Sequence, residues 1–383
     1  MQIEKATRVQ AVRNHNIKVI YNCLLEKPMS GNELAAEIGI SATSIGKIFR
    51  EMHALELVEK LSEKQQNNHA GRHHERYVIN GRKCYIVGIN LTYLNEFYFI
   101  CDLAGSIMCH QKLDFEYTFS KKDFDSLLDQ IEAKIRELLP SGDSEYVFVL
   151  SVPGQISSDT NILLASARME GMVGTNLSQV IYERFGKASL VSNDVNYMLR
   201  GKILHRMDDY SVFCFVSYGI ALSILHNGNI ITGYRGYAGE IGKNVVNGQL
   251  LKSITTIHFF YEEGKKIKPD LSIEGIVELY NSNQEYKAII LKSAEYLAQA
   301  LCNFGNILAY QSISFGGIIT EFGKEYFDVI KRYFAKYSSV PVHISYYKDV
   351  SPEYGMIKSA HEMIIDNILQ ARTDSGFQEV KEA

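Results

Sequence analysis

Nowhere does this chain contain an apolar run approaching the roughly 18 residues that a membrane-spanning helix requires. Its first residues, MQIEKATRVQ, likewise lack the apolar core of a secretion signal. The reading is a cytoplasmic protein with no membrane partner. No two cysteines stand in CxxC spacing: Cys23, Cys84, Cys101, Cys109, Cys214 and Cys302 are scattered, mostly through apolar segments. That scatter predicts reduced, buried thiols and argues against a disulfide framework. What remains, 46% hydrophobic and 22% charged in 383 residues, is the composition of a globular chain long enough for two or three domains.

A net charge of -4 taken whole argues against a nucleic-acid partner. Division at Tyr85 changes that, because the residues before it carry 13 Lys and Arg against 9 Asp and Glu (+4) and the rest carry 27 against 35 (-8). A basic excess this small predicts a head that needs a second head beside it, since each neutralised phosphate adds a limited increment. A homodimer or dimer of dimers is expected.

Within the basic segment, Met29 to Val58 reads as a helix-turn-helix. Leu34, Ala35 and Ile38 mark the buried side of a first helix, Gly39-Ile40 makes a tight corner, and Ser41 can cap a second helix. On that second helix Ile45, Ile48, Phe49, Met52 and Leu55 recur at three- and four-residue spacing. Ala42, Thr43, Ser44, Lys47 and Arg50 are left facing outward, a set of short polar and cationic side chains suited to a major groove. An ordinary hairpin with a solvated face would show the same spacing. The flanking segments favour the DNA reading: Leu57–Leu61 and Arg76–Ile79 look like paired strands, a wing whose polar tip carries Gly71 and Arg72 for a minor groove or a phosphate. His69, His73 and His74 in that tip have no cysteine partner and read as wing surface.

A helix behind this pair, periodic at Ile17, Ile20, Cys23 and Leu24, stops at Pro28, and Gly81-Arg82-Lys83 reads as a short hinge. From Cys84 the texture becomes α/β: three strands, then alternating helices and strands to Ser192, after which the pattern recurs from Val212. The predicted later elements include a helix over 285–310, a strand over 340–344, a helix over 356–369 and a frayed polar end from Ala371. Two similar lobes with a cleft between them are the two-lobed actin-like (ribonuclease H-like) sugar-kinase architecture. The expected division is a winged helix-turn-helix over 1–80, a two-lobed body over 81–371 (first lobe about 83–195 plus the C-terminal helix, second about 196–354) and a flexible tail over 372–383.

Four segments, Val152-Pro153-Gly154-Gln155, Asn193-Asp194-Val195-Asn196, Ala238-Gly239-Glu240-Ile241-Gly242 and Phe315-Gly316-Gly317-Ile318, add a family likeness by their order and spacing. The chain resembles the ROK family of repressors and sugar kinases, in particular its NagC/XylR-type repressors, over about 14–369. The resemblance implies a carbohydrate cleft in which Asn193, Asp194, Gly239 and Glu240 contact sugar, Asp194 standing where family kinases keep their general base. Read from the residues alone, Asp194 would be a helix cap and Glu240 part of a surface turn.

The departures from the family pattern carry as much information. The first phosphate loop, Asp-x-Gly-Gly-Thr in family kinases, is Asn90-Leu91-Thr92-Tyr93-Leu94 here. The second keeps one glycine of four in Ser217-Tyr218-Gly219-Ile220-Ala221-Leu222-Ser223. Side chains at those positions block close approach of the backbone to an anion. Lys243 replaces the family's zinc-binding histidine, and 248–260 contains no cysteine, so neither metal nor nucleotide is expected. His258, in an apolar run, is read as structural. The expectation is a sugar-responsive, non-enzymatic repressor that binds a double-stranded DNA operator and a carbohydrate or sugar-phosphate effector. The alternatives are an active ROK sugar kinase, or a DNA-bound scaffold for a protein partner.

Overall fold

The structure is a computed structural model that describes residues 2–61, 75–93, 95–140, 142, 144–202 and 210–382. The N-terminal part runs α1 (Gln2–Glu26), β1 (Met29–Ser30), α2 (Gly31–Ile38), α3 (Ala42–Ala54), β2 (Val58–Lys60) and β3 (Arg76–Ile79). Local chemistry sets the boundaries. Ser30 and Glu33 form a reciprocal capping box at the start of α2, Gly39 ends it at φ 71°, and the Ser41 hydroxyl accepts from the Ser44 amide to start α3. The three strands pair antiparallel in the order β1-β3-β2. β1 is an addition to the elements read from the sequence, since two residues are too few to show a period.

The body holds two five-stranded sheets of the same design. The first comprises β4 (Tyr85–Asn90), β5 (Phe97–Asp102), β6 (Ile107–Lys112), β7 (Tyr146–Val152) and, beyond the small hairpin β8 (Gln155–Ile156) and β9 (Leu163–Ala165), β10 (Ser189–Asn193). Its order is β10-β7-β4-β5-β6, parallel from β10 through β7 to β4 and antiparallel from β4 through β5 to β6. The second comprises β11 (Tyr210–Val216), β12 (Ile220–His226), β13 (Asn229–Ile230) and, after the hairpin β14 (Val245–Val246) and β15 (Gln249–Leu250), β16 (Ser312–Gly317) and β17 (His343–Tyr346). Its order, β13-β12-β11-β16-β17, repeats the first strand for strand.

Alternating side chains give each sheet two buried faces. Val87, Ile89, Phe148 and Leu150 pack with α4 (Lys121–Leu138) and α5 (Leu177–Phe185). Ile86, Val147 and Val149 share a core with Met356, Ala360 and Ile364 of α11 (Glu353–Glu382). In the second sheet Val212, Cys214, Ile313 and Phe315 pack with α7 (Ile257–Ile267), α8 (Ile276–Ser282), α9 (Gln284–Leu308) and α10 (Gly323–Tyr337). Its opposite face, Phe213 and Leu225, takes Val195, Met198 and Leu199 of α6 (Asp194–Lys202). All six cysteines are free and four are buried.

Three expectations change. The last strand lies at 343–346, not 340–344, and α11 continues through Glu382 past the expected fraying at Ala371. The Gly81–Lys83 segment, expected as a short hinge, is a 3-10 turn pinned to its neighbours. Gly81 O accepts from Leu103 N (3.0 Å), Asn80 Nδ2 donates to Glu56 O (2.9 Å), and Lys83 pairs with Glu56 (2.8 Å). A second junction explains why. Ile17, Ile20, Tyr21 and Leu24 of α1 share one continuous core with Ile364, Ile365 and Leu369 of α11. At its centre the buried Tyr21 hydroxyl and His361 Nδ1 share a hydrogen bond of 2.7 Å, with Lys18 paired to Asp366 beside it. No local pattern links residues 340 apart in sequence.

Candidate functional site

The outward face of α3 is as the periodicity predicts: Ala42, Thr43, Ser44, Lys47 and Arg50 are exposed while Ile45, Ile48, Phe49 and Met52 are buried. Phe49 stacks on Tyr77 of β3 (3.9 Å between centroids), fastening the helix to the strand that leads out of the wing. The Ser44 hydroxyl lies 2.9 Å from that of Ser41, so it is partly occupied by the cap. Among the described residues, Lys47 and Arg50 have no carboxylate partner, which leaves both charges for an external anion. Arg72 and the three histidines of the wing tip lie outside the described residues.

A cavity of about 370 Å³ opens between the sheets, within the size range of small-molecule sites. Its walls come from strand ends: Thr92 and Tyr93 after β4, Gly154 and Gln155 after β7, Arg168 beyond β9, Asn193 and Asp194 where β10 becomes α6, Tyr218 between β11 and β12, and Glu240. A second hollow of about 440 Å³ adjoins it through Gly154, Gln155, Asn193 and Glu240, and it is here that Gly239 lies. The fold therefore brings together Asn193, Asp194 and Glu240 at one cavity, with Gly239 in the adjoining one. Gly239 serves by its backbone: at φ 91° an added Cβ would stand 1.9 Å from Leu222 O.

Asn193 is only half available. Its Nδ2 donates to Gly154 O (2.8 Å) and its Oδ1 accepts from Val195 N (2.9 Å), leaving one N–H for a ligand. Glu240, partly exposed, has Lys243 Nζ 3.4 Å from its carboxylate. Gln155 is a further candidate that the motif did not single out. It is buried, lines both hollows, and its Nε2 has no partner among the described residues. A buried donor of this kind is costly unless something accepts from it.

Asp194 repays a proton count. Its Oδ1 accepts from Val195 N (2.9 Å), and its Oδ2 lies 2.9 Å from Thr92 Oγ1. Thr92 Oγ1 is also 2.8 Å from Asn90 Oδ1, whose amide is oriented by donation from Asn90 Nδ2 to Asn95 O (2.6 Å). A hydroxyl has one proton. If Thr92 gives it to Asn90, the remaining contact is a hydrogen bond only when Asp194 carries a proton and donates. Burial acts in the same direction, pushing the Asp194 carboxyl from 3.8 up to about 6 against the lowering effect of the Thr92 and Val195 contacts. Below about pH 6 Asp194 is a carboxylic acid that donates to Thr92, and above it a carboxylate that competes with Asn90 for the one Thr92 proton; either way Thr92 engages Oδ2.

Three aromatic rings crowd the cavity wall. Tyr93, Tyr117 and Tyr218 form a triangle with centroids 5.1, 5.2 and 5.3 Å apart. Two of the three stand in the former phosphate loops, and these residues do not fit ATP phosphates. Nor do they fit zinc: Lys243 places an ammonium beside Glu240, and among the described residues no three His, Cys, Asp or Glu side chains gather as ligands. His258 is exposed on α7 and does not line the cavity.

Comparison with known proteins follows this geometry. Residues 97–265 match the ROK family model. The chain is 22% identical over 242 residues to the xylose repressor of Bacillus subtilis (strain 168), covering 62% of this chain and 62% of that protein, so less than two thirds of that relative's length is matched. A solved ROK family transcriptional regulator, a homologue of the Escherichia coli MLC protein, aligns with a TM-score of 0.74 and 20% identity over 94% of this chain and 98% of that one. The ROK hexokinase of Thermus thermophilus aligns with a TM-score of 0.59 and 16% identity over 72% and 97%. Among the described residues no helix is long and apolar enough to cross a membrane.

Proposed function

The chain carries a ROK-family domain over residues 97–265, and from that premise we propose that it is a carbohydrate-responsive transcriptional repressor without phosphotransfer activity. The observation that carries this reading is the pairing of an exposed, unneutralised Lys47 and Arg50 on α3 with a cleft whose phosphate loops are filled by tyrosine. The repressor relatives support the DNA and sugar partners; the lost glycines and the occupied Asp194 support the absence of catalysis.

In this reading a carbohydrate accepts from Gln155 and Asn193, meets Glu240, and favours one placement of α6, whose first residue is Asp194. α6 bears on α11 through glycines and through Arg200 with Glu362 (2.7 Å), and α11 bears on α1 through His361 and Tyr21. The two reading heads of a dimer are thereby set at the half-site spacing or moved off it.

Arg50→Ala or Lys47→Ala is expected to weaken operator retention in a gel shift several-fold and to lower its salt slope by about one, with the melting temperature unchanged. Undiminished retention by both variants would remove α3 from the reading role. In a coupled assay with ATP and a hexose panel, the chain is expected to turn over no faster than its Asp194→Asn variant. Turnover above that variant would favour the kinase alternative.

A further inference from the structure

The tyrosine triangle does more than exclude a nucleotide, because the hollow it borders is continuous with the Asn193, Asp194 and Glu240 end. All three rings line that hollow, Tyr93 and Tyr117 from the first sheet's side and Tyr218 from the second's. The Arg168 guanidinium lies 5.0 Å from the Tyr93 ring centroid and 5.7 Å from that of Phe119. Arg168 is itself buried. Its charge is paired with Glu96, and the guanidinium lines the hollow together with the three aromatic rings.

We propose that the cleft takes a two-ring carbohydrate, a disaccharide or an aryl glycoside, with one sugar ring at Asn193, Asp194 and Glu240 and the second ring packed against the edge-to-face cluster of Tyr93, Tyr117 and Tyr218. The proposal rests on the carbohydrate reading above and adds the ligand's class. A sugar ring has an apolar C–H face and a polar edge, which matches a half-buried cluster of tyrosines that offers both ring surface and hydroxyls. Pre-set rings order little on binding, so the second ring adds affinity at small entropic cost. Because the wall is drawn from both sides of the cleft, a ring seated there also ties the two together, which a single ring at Asp194 does not.

The test uses the full chain, titrated with glucose, xylose and galactose, with their phenyl glycosides and disaccharides, and with glucose 6-phosphate. The chain contains no tryptophan, so its emission reports tyrosine alongside calorimetry. At least one two-ring ligand is expected to bind roughly tenfold tighter than its free sugar. Tyr218→Ala should erase that advantage while leaving free-sugar affinity within about twofold, and Tyr218→Phe should keep it, since stacking needs the ring and not the hydroxyl. Free sugars or glucose 6-phosphate binding as tightly as every two-ring ligand, or Tyr218→Ala weakening both classes alike, would overturn the proposal and leave the carbohydrate reading standing. No binding by any of these compounds, with operator retention intact, would overturn both.

Discussion

Asp194→Asn is expected to melt several degrees higher than the parent chain at pH 8, with the gain shrinking steadily as the pH is lowered towards 4. The folded-state carboxyl holds its proton more tightly than the unfolded one, about 6 against 3.8. The stability contributed by that proton is complete below the unfolded value and lost as the pH rises through the folded one. At pH 8 the protein therefore carries a buried charge that costs about 3 kcal/mol, at 1.36 kcal/mol per pKa unit. An asparagine cannot ionise, and it reproduces the acid's bonds: its amide donates to Thr92 and its carbonyl accepts from Val195. Calorimetric melts of both chains at pH 8, 6 and 4.5 check this. A gain independent of pH, or a loss at pH 8, would mean that Asp194 is held as a carboxylate and that Thr92 donates to it. Stabilisation by removing a functional residue is a common signature of a site kept for binding and not for stability.

His361→Ala is expected to cost about 2–4 kcal/mol, combining a lost buried ring with an orphaned Tyr21 hydroxyl. Its second effect is the more informative one. Operator binding should survive at temperatures where the variant is folded, but carbohydrate should no longer change it, because α1 and α11 meet at this bond. His361→Gln, which can still accept from Tyr21, should restore most of the response. A variant that stays responsive would leave the pinned turn at Gly81 as the route. Burial also drives the His361 imidazole down from 6.5 to about 4. A depressed value contributes stability present above 6.5 and lost as the pH falls through 4, so parent and variant should converge under acid. This trend opposes that of Asp194 over the same interval, and the two variants separate them.

Much of the reading surface was legible in the sequence because helix capping and three-four spacing are local: Ser30, Gly39, Ser41 and the buried run from Ile45 act within a few residues of themselves. The doubled sheet was legible for a similar reason, since the strand pattern recurs along the chain. Tyr93 and Tyr218 could be seen to spoil phosphate loops, but their meeting with Tyr117 depends on three separate loops converging. The bond between Tyr21 and His361 and the rivalry of Asn90 and Asp194 for one hydroxyl proton likewise exist only in three dimensions. The late strand was misplaced by three residues because Val340 to Ile344 is apolar enough to read as a strand, while pairing with β16 selects His343 to Tyr346.

Where α6 crosses α11, an added Cβ on Gly355 would stand 1.9 Å from Tyr197 O, and one on Gly201 3.1 Å from Gly355 N. Main chain rests on main chain there, with no rotamer between them to take up slack. A linkage without padding acts as a gear and not a cushion: a tilt of one shaft reaches the other at full amplitude. A single methyl group added at Gly355 would have no room there and would force the two shafts apart.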